Sequence, residues 1–298
     1  MASVLNQDMP DLELLVVCDG APAATASFAR RLAEQDSRVR VFDNAKGERH
    51  GEAHRAHALA HANGRYIAHI NDDGLWFPDH LSSLVAFLEN VDFGNVTHTH
   101  VDEADRPHLL LGDLASATER TRMLETPYNI ANLSDVAYSM EAYRRLPEGW
   151  APGPSDIWTD LHMWRKFLRC EGLRFATLAK TTTLFFRRPL GDVSDEARAQ
   201  VLRWDAMLRN PLAREQLRQQ LWSDVVREVL SFRAANLGTA LELEKAENRR
   251  LRSLLTPQIP EDFDPHTYLS LHPDLIEVGV DGREHYLQYG FYEGRRYR

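Results

Sequence analysis

Residues 66–81, which read YIAHINDDGLWFPDHL, decide the predicted fold. The first five of them are mostly apolar and have the length of a buried strand. The run ends on a polar turn that contains Asp72 and Asp73, and Pro78 then introduces an apolar-periodic helix that begins near His80. The pattern therefore predicts two adjacent carboxylates between the end of a strand and the start of a helix.

Asp72 and Asp73 have the chemistry of a divalent-cation site. Carboxylate oxygens are ligands that Mg²⁺ and Mn²⁺ prefer, and such a metal neutralises a departing diphosphate. Asp and Gly between a strand and a helix also do ordinary turn chemistry. The dipeptide alone leaves both interpretations open.

Strands alternate with helices ahead of this stretch. The predicted elements are a strand at 13–18, a helix at 23–35, a strand at 39–42 and a helix at 51–62. Such alternation predicts an α/β fold with a parallel sheet and helices on both faces. Ligands of these sheets bind beyond the carboxyl ends of the strands, where Asp19, Asp72 and Asp73 are all expected.

Composition narrows the classes of protein. The 298 residues are 43% hydrophobic, carry a net charge of −9 and include two cysteines. The absence of a basic run argues against a nucleic-acid partner held through its phosphates. Widely separated cysteines suit a reducing compartment, and no apolar run approaches the ~20 residues of a membrane helix. With no signal peptide at the start, we expect a soluble cytoplasmic protein without a transmembrane segment.

Taken together, these blocks resemble the family-2 glycosyltransferases. That family typically shows a strand, an acidic cluster, Trp, Pro and His-Leu in the order found at 66–81. The resemblance extends from Ser3 to about Arg188. It implies the nucleotide-diphospho-sugar transferase (A-type) fold, with a mixed sheet flanked by helices. It also implies that the family's first strand is missing, because this chain starts inside the helix that follows that strand.

The resemblance assigns donor-binding roles to four residues. Asp19 is implied to hydrogen-bond the nucleobase, and Asp72 to reach the ribose. Asp73 is implied to hold Mn²⁺ or Mg²⁺. Arg55 occupies the place of a family arginine near the diphosphate, where a planar cation is useful. A solvated helix arginine is the alternative for Arg55.

Residues 160–164 match a family block in which an aspartate opens a helix and faces the acceptor. Asp160 is thus implied to be the general base, since an inverting transfer needs a carboxylate on the face opposite the leaving group. Asp160 could instead only cap a helix whose Leu161, Trp164 and Phe167 face the core. Asp156 is the competing choice of base.

The C-terminal third is predicted to be helical. From residue 193 to 256 the composition is charged, with leucines at heptad-compatible spacing and two polar residues in the remaining seam places: Leu230, Leu237, Leu241, Glu244, Asn248, Leu251 and Leu255. A short coiled coil that forms a homo-oligomer and a helix that lies on its own domain both fit this pattern.

Residues 257–298 form the last predicted segment, after the domain at 1–192 and the helical region at 193–256. This segment resembles a helical, aromatic-rich module found at the ends of bacterial polysaccharide glycosyltransferases. Because a segment this short cannot build a sizeable core alone, its aromatic side chains are expected to pack on a neighbour.

Three functions follow from these features. The first is an inverting transferase that uses a nucleotide-sugar donor and a carbohydrate or glycoconjugate acceptor, in bacterial polysaccharide or glycoconjugate synthesis. The second is a non-catalytic scaffold or oligomerisation protein with the same fold, suggested by Cys18 and Ala56 at places where the family has Asp and Asn. A metal-dependent phosphohydrolase ranks last, because no supporting His/Asp set accompanies the carboxylates.

Overall fold

The computed structural model describes residues 1–187, 194–254 and 258–298. The chain divides into two compact units, Met1–Val225 and Val226–Arg298. The boundaries predicted at 192 and 256 fall in the stretches that are not described, so the three-part division stays a prediction. Over the three described ranges, none of the helices is both long and apolar enough to span a bilayer.

Ten strands are present in the described residues. In chain order they are β1 (Leu14–Asp19), β2 (Val39–Asn44), β3 (Tyr66–Ala68), β4 (Gly74–Trp76), β5 (Phe93–Val96), β6 (His98–Val101), β7 (Pro107–Leu110), β8 (Val136–Ser139), β9 (Phe175–Leu178) and β10 (Thr183–Phe186). They form a β1–β2 pair and two four-stranded sheets, with strand orders β4-β10-β6-β7 and β3-β8-β5-β9.

The α-helices of the same residues lie between and after these strands. They are α1 (Ala2–Leu5), α2 (Ala23–Gln35), α3 (Glu52–Leu59), α4 (His80–Leu88), α5 (Ala117–Glu125), α6 (Met140–Arg144), α7 (Thr159–Leu168), α8 (Asp195–Arg209), α9 (Pro211–Leu254), α10 (Pro265–Leu271), α11 (Pro273–Val278) and α12 (Gly282–His285).

The sheets are mixed, as the family resemblance implies, and the parallel sheet predicted from alternation alone is wrong. Parallel pairing occurs in β1–β2, β5–β9 and β6–β10. The other pairs are antiparallel, because β8 returns between β3 and β5, and β10 lies beside β4. These partners come from far along the chain, where local strand–helix alternation carries no information about them.

The β1–β2 pair aligns the ends of its two strands. Its register joins Leu14 to Val39 and Asp19 to Asn44, so Asp19 stands at the carboxyl edge of the pair. The connecting helix α2 has the predicted bounds. It buries the small residue Ala29, which permits a close approach to the strands. Asp19 is therefore where ligands of parallel strands are expected.

The acidic turn joins two strands of different sheets. β3 ends at Ala68, two residues earlier than predicted, and Asp72 and Asp73 precede the unpredicted strand β4. β4 forms because Leu75 pairs with Leu184 of β10. Helix α4 then begins at His80, as predicted.

Residues 93–125 contain three strands and a helix. Strands β5 and β6 belong to different sheets, and Thr97 lies between them. Strand β7 and helix α5 follow. Ser116 caps α5 by accepting a 3.4 Å hydrogen bond from the amide of Glu119. This Ser-x-x-Glu spacing is a capping-box signal that marks the helix start.

The main core lies between the β3-β8-β5-β9 sheet and α7. Leu161, Trp164 and Phe167 of α7 are fully buried there beside Phe93, as predicted for that face of the helix. The indole of Trp164 donates a 2.8 Å hydrogen bond to the carbonyl of Ala131. Each of these side chains stabilises the fold by about 2–3 kcal/mol through burial, so the first turn of α7 starts from a fixed position.

Helix α9 begins on the first unit and continues into the second. Its early residue Leu221 is buried, and Arg218 donates hydrogen bonds of 2.8 and 2.9 Å to Asp79 at the start of α4. Farther along, Leu230, Leu237 and Leu241 are 60%, 72% and 51% exposed. The helix therefore lies on its own domain only over its first part. Leu255 is outside the described residues.

The C-terminal segment has a small core of its own. Tyr268, Leu275 and Tyr286 are buried together, and Phe263 packs on them. The hydroxyl oxygen of Tyr268 also lies 3.0 Å from Nδ1 of His285. The expectation that these aromatics pack on a neighbour is wrong, because they pack on one another.

Candidate active site

Asp19, Arg55 and Asp160 come together around the guanidinium of Arg55. Asp19 ends β1, Arg55 lies in α3 and Asp160 lies in the first turn of α7. The carboxylates of Glu52, Asp19 and Asp160 all interact electrostatically with Arg55. The structure thus unites three of the five predicted site residues, from three separate parts of the sequence.

Arg55 is a half-buried cation with an unused hydrogen-bond donor. Its guanidinium carbon lies 5.0 Å from the centre of a Trp150 ring, in a cation–π contact. Burial lowers the pKa of Arg55, although the nearby carboxylates oppose that change and arginine stays charged. Nη1 is buried without a hydrogen-bond partner among the described residues. Such a group is costly unless a ligand satisfies it.

His69 forms part of the apolar surface beside Arg55. Its Nε2 lies 2.8 Å from the Tyr138 hydroxyl, and its ring packs against Trp150. Burial, reinforced by the charge of Arg55, lowers the pKa of His69 to about 3. The imidazole is therefore neutral, and Arg55 has no competing cation at this position.

A glycine-containing loop holds Asp19. Its carboxylate accepts a 2.6 Å hydrogen bond from the amide of Gly47 and a further bond from Lys46. Burial would raise the pKa of Asp19, but the Lys46 and Gly47 hydrogen bonds outweigh it and lower that pKa. A Cβ on Gly51, which has φ +73°, would lie 2.8 Å from the Asp19 carboxyl carbon, so this close approach requires glycine. Asp19 is a fixed, ionised acceptor.

Glu52 links α3 to α7 and was not singled out by the sequence. It is 1% exposed, and its carboxylate accepts hydrogen bonds of 2.8 Å from the Thr159 hydroxyl and 3.0 Å from the His50 amide. Burial would raise the pKa of Glu52, but these hydrogen bonds and the charge of Arg55 lower it. Glu52 therefore positions the first residue of α7, directly before Asp160. Its place after Gly51 at a helix start is the only local signal for it.

Asp160 occupies the second position of α7, not its cap. The N-cap is Trp158, whose side chain makes no capping bond. Asp160 accepts hydrogen bonds of 2.7 Å from the Leu161 amide and 3.0 Å from the Asn129 side chain. Burial raises the pKa of Asp160 despite these bonds. A carboxylate with a raised pKa is suited to accept a proton. The competing Asp156 is exposed.

Asp160 lies on the wall of an open cavity of about 360 Å³. The other lining residues come from β6, β7, the segment before β8 and the residue that precedes α7: His98, Leu110, Asn129, Ile130, Asn132 and Trp158. Both polar and apolar groups line the cavity, as in sites that orient a small ligand.

His98, which lines this cavity, is held by the buried carboxylate of Asp135. Nδ1 of His98 lies 2.6 Å from Oδ2 of Asp135, and the other carboxylate oxygen accepts a hydrogen bond from the Thr183 hydroxyl. Burial alone would lower the pKa of His98, but Asp135 outweighs it and raises that pKa. No local sequence signal identifies the pair, because His98 and Asp135 come from segments far apart in the sequence.

Asp72 and Asp73 lie in the turn between β3 and β4. Asp72 is exposed and Asp73 is half-buried, with its carbonyl accepting a 3.4 Å hydrogen bond from the Phe186 amide. Across the described ranges, no three His, Cys, Asp or Glu side chains are grouped so as to hold a metal ion. The two adjacent carboxylates still fit Mg²⁺ or Mn²⁺ that is bound jointly with a diphosphate, because Mg²⁺ uses one or two carboxylates plus substrate phosphates. Arg188 lies outside the described residues.

Comparison with known proteins identifies relatives of the first half of the chain. Residues 1–145 match the family model described as Glycosyl transferase family 2. EpsE of Bacillus subtilis is 36% identical over 88 residues, covering 29% of this chain and 31% of EpsE. The succinoglycan biosynthesis protein ExoW of Rhizobium meliloti is 27% identical over 143 residues, covering 46% of this chain and 44% of ExoW. The chain therefore spans less than half the length of either relative.

The fold also has a solved counterpart. S. aureus TarS 1–349 in complex with UDP-GlcNAc superimposes with a TM-score of 0.50 at 17% sequence identity. The match covers 70% of this chain and 60% of that chain. At this identity the likeness concerns the fold.

Proposed function

Because residues 1–145 match the family model described as Glycosyl transferase family 2, we propose that the protein transfers a sugar from a nucleotide-diphosphate donor to a hydroxyl acceptor with inversion. The observation that carries the proposal is the Arg55 guanidinium, which interacts with Asp19 and Asp160 and whose Nη1 is buried and unpartnered among the described residues. Diphosphate oxygens would satisfy that donor through charge-assisted hydrogen bonds.

The donor is assigned to Asp19, Asp72 and Arg55. Asp19 is an ionised acceptor, so it would take an N–H of the nucleobase, with Lys46 moving aside or sharing the carboxylate. Arg55 would bind the diphosphate, and the exposed Asp72 is assigned to the ribose. Support comes from the meeting of Asp19 and Arg55 in one place.

The metal is assigned to Asp73. Mg²⁺ or Mn²⁺ bound there together with the donor would neutralise the charge that develops on the leaving diphosphate. Asp73 provides one carboxylate, and the phosphates provide further oxygens. The cation and the donor should therefore bind cooperatively.

Asp160 is assigned as the general base. It takes the proton of the acceptor hydroxyl while that oxygen bonds to the anomeric carbon. The bond from this carbon to the diphosphate oxygen breaks, and its electron pair stays on the diphosphate beside Arg55. Attack opposite to the leaving group inverts the anomeric configuration. The raised pKa of Asp160 favours proton uptake at this step.

The acceptor is assigned to the carbohydrate or glycoconjugate class, in polysaccharide synthesis. The likeness to the succinoglycan biosynthesis protein ExoW supports this assignment. The cavity beside Asp160 has room for a monosaccharide unit and offers both polar and apolar walls.

Helix α9 is assigned a role in self-association with a second copy of the chain. Leu230, Leu237 and Leu241 are separated by seven and four residues and are all exposed. Such spacing places them on one side of a helix, and burying them against a matching helix removes apolar surface from water.

A donor panel tests the transferase proposal. The chain is incubated with UDP-glucose, UDP-GlcNAc, UDP-galactose, GDP-mannose and dTDP-rhamnose, each with Mg²⁺ or Mn²⁺, and melting temperature and nucleoside diphosphate release are measured. We expect one donor to raise the melting temperature and to be turned over. If none of them binds, the proposal fails and the scaffold alternative replaces it.

A further inference from the structure

Trp158 has an exposed indole that local structure does not explain. It is 57% exposed and occupies the N-cap of α7, where Ser, Thr, Asp or Asn would stabilise the helix and Trp makes no capping bond. It lies two residues before Asp160 and lines the same cavity. The indole therefore presents an aromatic surface next to the proposed base.

His98 is held in one orientation on another wall of this cavity. Nδ1 is 2.6 Å from Asp135, which is itself 1% exposed and bonded to Thr183. The contact with Asp135 fixes the His98 ring and places a proton on Nδ1. Nε2 is then the ring nitrogen left for a ligand, and only 11% of the side chain is exposed.

We propose that Trp158 and His98 form the acceptor subsite, with a pyranose ring lying on the Trp158 indole and one of its hydroxyls hydrogen-bonded to Nε2 of His98. The inference rests on the proposed function and names its acceptor class: a glycan that ends in a pyranose. The attacking hydroxyl would then face Asp160, and the His98 bond would engage a different hydroxyl of the same ring.

The chemistry of a pyranose matches these two residues. One face of the ring carries C–H groups, which are slightly positive and suit the negative face of an indole. The rim carries hydroxyls, each of which can both donate and accept a hydrogen bond, so a hydroxyl can pair with Nε2 of His98 in either protonation state of the ring. Asn129 and Asn132 on the same cavity add amide groups for other hydroxyls. A flat apolar acceptor would offer no hydrogen-bonding group to Nε2 of His98.

Direct binding of simple sugars tests the subsite without any donor. Methyl glycosides of glucose, galactose, mannose and N-acetylglucosamine are titrated into the full chain by saturation-transfer NMR. We expect at least one to bind the parent. Trp158→Ala should weaken that binding about tenfold, the order expected for loss of an aromatic platform. Phe28→Ala removes a 52% exposed aromatic on α2 and is the matched control.

His98→Asn tests the second half of the subsite. Asparagine can keep the bond to Asp135 but has no counterpart of Nε2, so binding should weaken about threefold to tenfold, the worth of one hydrogen bond. His266→Asn, an exposed histidine of the C-terminal segment, is the control. Melting curves identify any variant that does not fold. If His98→Asn does not fold, Trp158→Ala still tests the subsite, because replacement of an exposed side chain should leave the fold intact.

Two outcomes overturn the subsite: none of the four glycosides binds the parent, or Trp158→Ala binds them as the parent does. Donor binding, measured separately with UDP and GDP by calorimetry, reports on the proposed transferase. Glycoside binding that depends on Trp158 but occurs in a protein without nucleotide affinity would keep the subsite and remove the transferase.

Discussion

The side-chain amide of Asn129 donates a 3.0 Å hydrogen bond to Oδ2 of Asp160. Burial raises the pKa of Asp160, while this bond and the one from the Leu161 amide act in the opposite direction. A general base must be deprotonated, so the pKa of Asp160 should set the acidic limb of the pH–rate profile. If Asp160 is the general base, Asn129 should therefore lower the pH at which the proposed transferase becomes active.

Asn129→Ala should move that limb to higher pH. Loss of the amide removes a bond that stabilises the carboxylate, so the pKa of Asp160 rises further. Because the folded pKa exceeds the unfolded 3.8, Asp160 contributes stability that is fully present below pH 3.8 and is lost as pH rises through its folded pKa. Turnover against pH checks the shift, with the exposed Asn90→Ala as control. If the acidic limb of the pH–rate profile stays in place in Asn129→Ala, that limb does not report the ionisation of Asp160.

Arg55→Met should weaken binding of UDP or GDP. The substitution keeps the apolar stem and removes the cation that faces the proposed diphosphate, so a charge-assisted bond worth about 1.5–3 kcal/mol is lost, or roughly tenfold to a hundredfold in affinity. Calorimetry measures the change, and Arg31→Met on the exposed surface of α2 is the control. Parental affinity in a folded Arg55→Met variant would place the diphosphate elsewhere.

Asp73→Asn should abolish the cation dependence of nucleotide binding. In the parent, UDP with Mg²⁺ or Mn²⁺ should bind more tightly than UDP with a chelator. Saturation to 100 times the dissociation constant stabilises the fold by about 2.7 kcal/mol, a readily measured melting shift. Asp72→Asn is the matched control and should keep the dependence, since only Asp73 is assigned to the metal. Equal UDP affinity of the parent with and without chelator would remove the cation from the site.

Leu237→Glu should dissociate the proposed oligomer. A charge in the seam would be buried against the partner helix at a cost that association cannot offset. Leu243→Glu is a matched control, because Leu243 is 67% exposed but lies off the seam of Leu230, Leu237 and Leu241. Sedimentation velocity should show a smaller species for Leu237→Glu, whereas Leu243→Glu should sediment like the parent. A monomeric parent, or equal effects of both variants, contradicts the seam.

The sequence was informative where local patterns determine structure. Helix α2 matches its predicted bounds, and α4 begins at His80 as predicted, because apolar periodicity and turn residues mark both. Pairing partners could not be predicted. β4 depends on β10, and the break at Thr97 depends on β9, each of which lies far along the chain. The capping box at Ser116 is a local signal that marks the start of α5.

The same limit applies to the site. Asp19, Arg55 and Asp160 could be proposed one by one because each falls in a recognisable motif. Their supporting residues could not, because Glu52 acts through Thr159, and His98 acts with Asp135. These contacts exist only after distant segments pack together, and no spacing in the sequence encodes them.

Asp160→Asn is the variant that tests the proposed transferase most directly. Asparagine keeps the shape and can still accept a hydrogen bond from the Leu161 amide, but it cannot take a proton. A general base acts in the transition state, so donor binding should stay at the parental level while turnover falls.

The deciding measurement is turnover of the donor identified in the panel, compared between Asp160→Asn and the parent at equal donor occupancy. Loss of a general base is typically worth about 10²–10⁴-fold, so we predict at least a hundredfold slower transfer with unchanged donor affinity. A folded Asp160→Asn variant that transfers sugar at nearly the parental rate would contradict the assignment, and Asp156→Asn would be the next variant to measure.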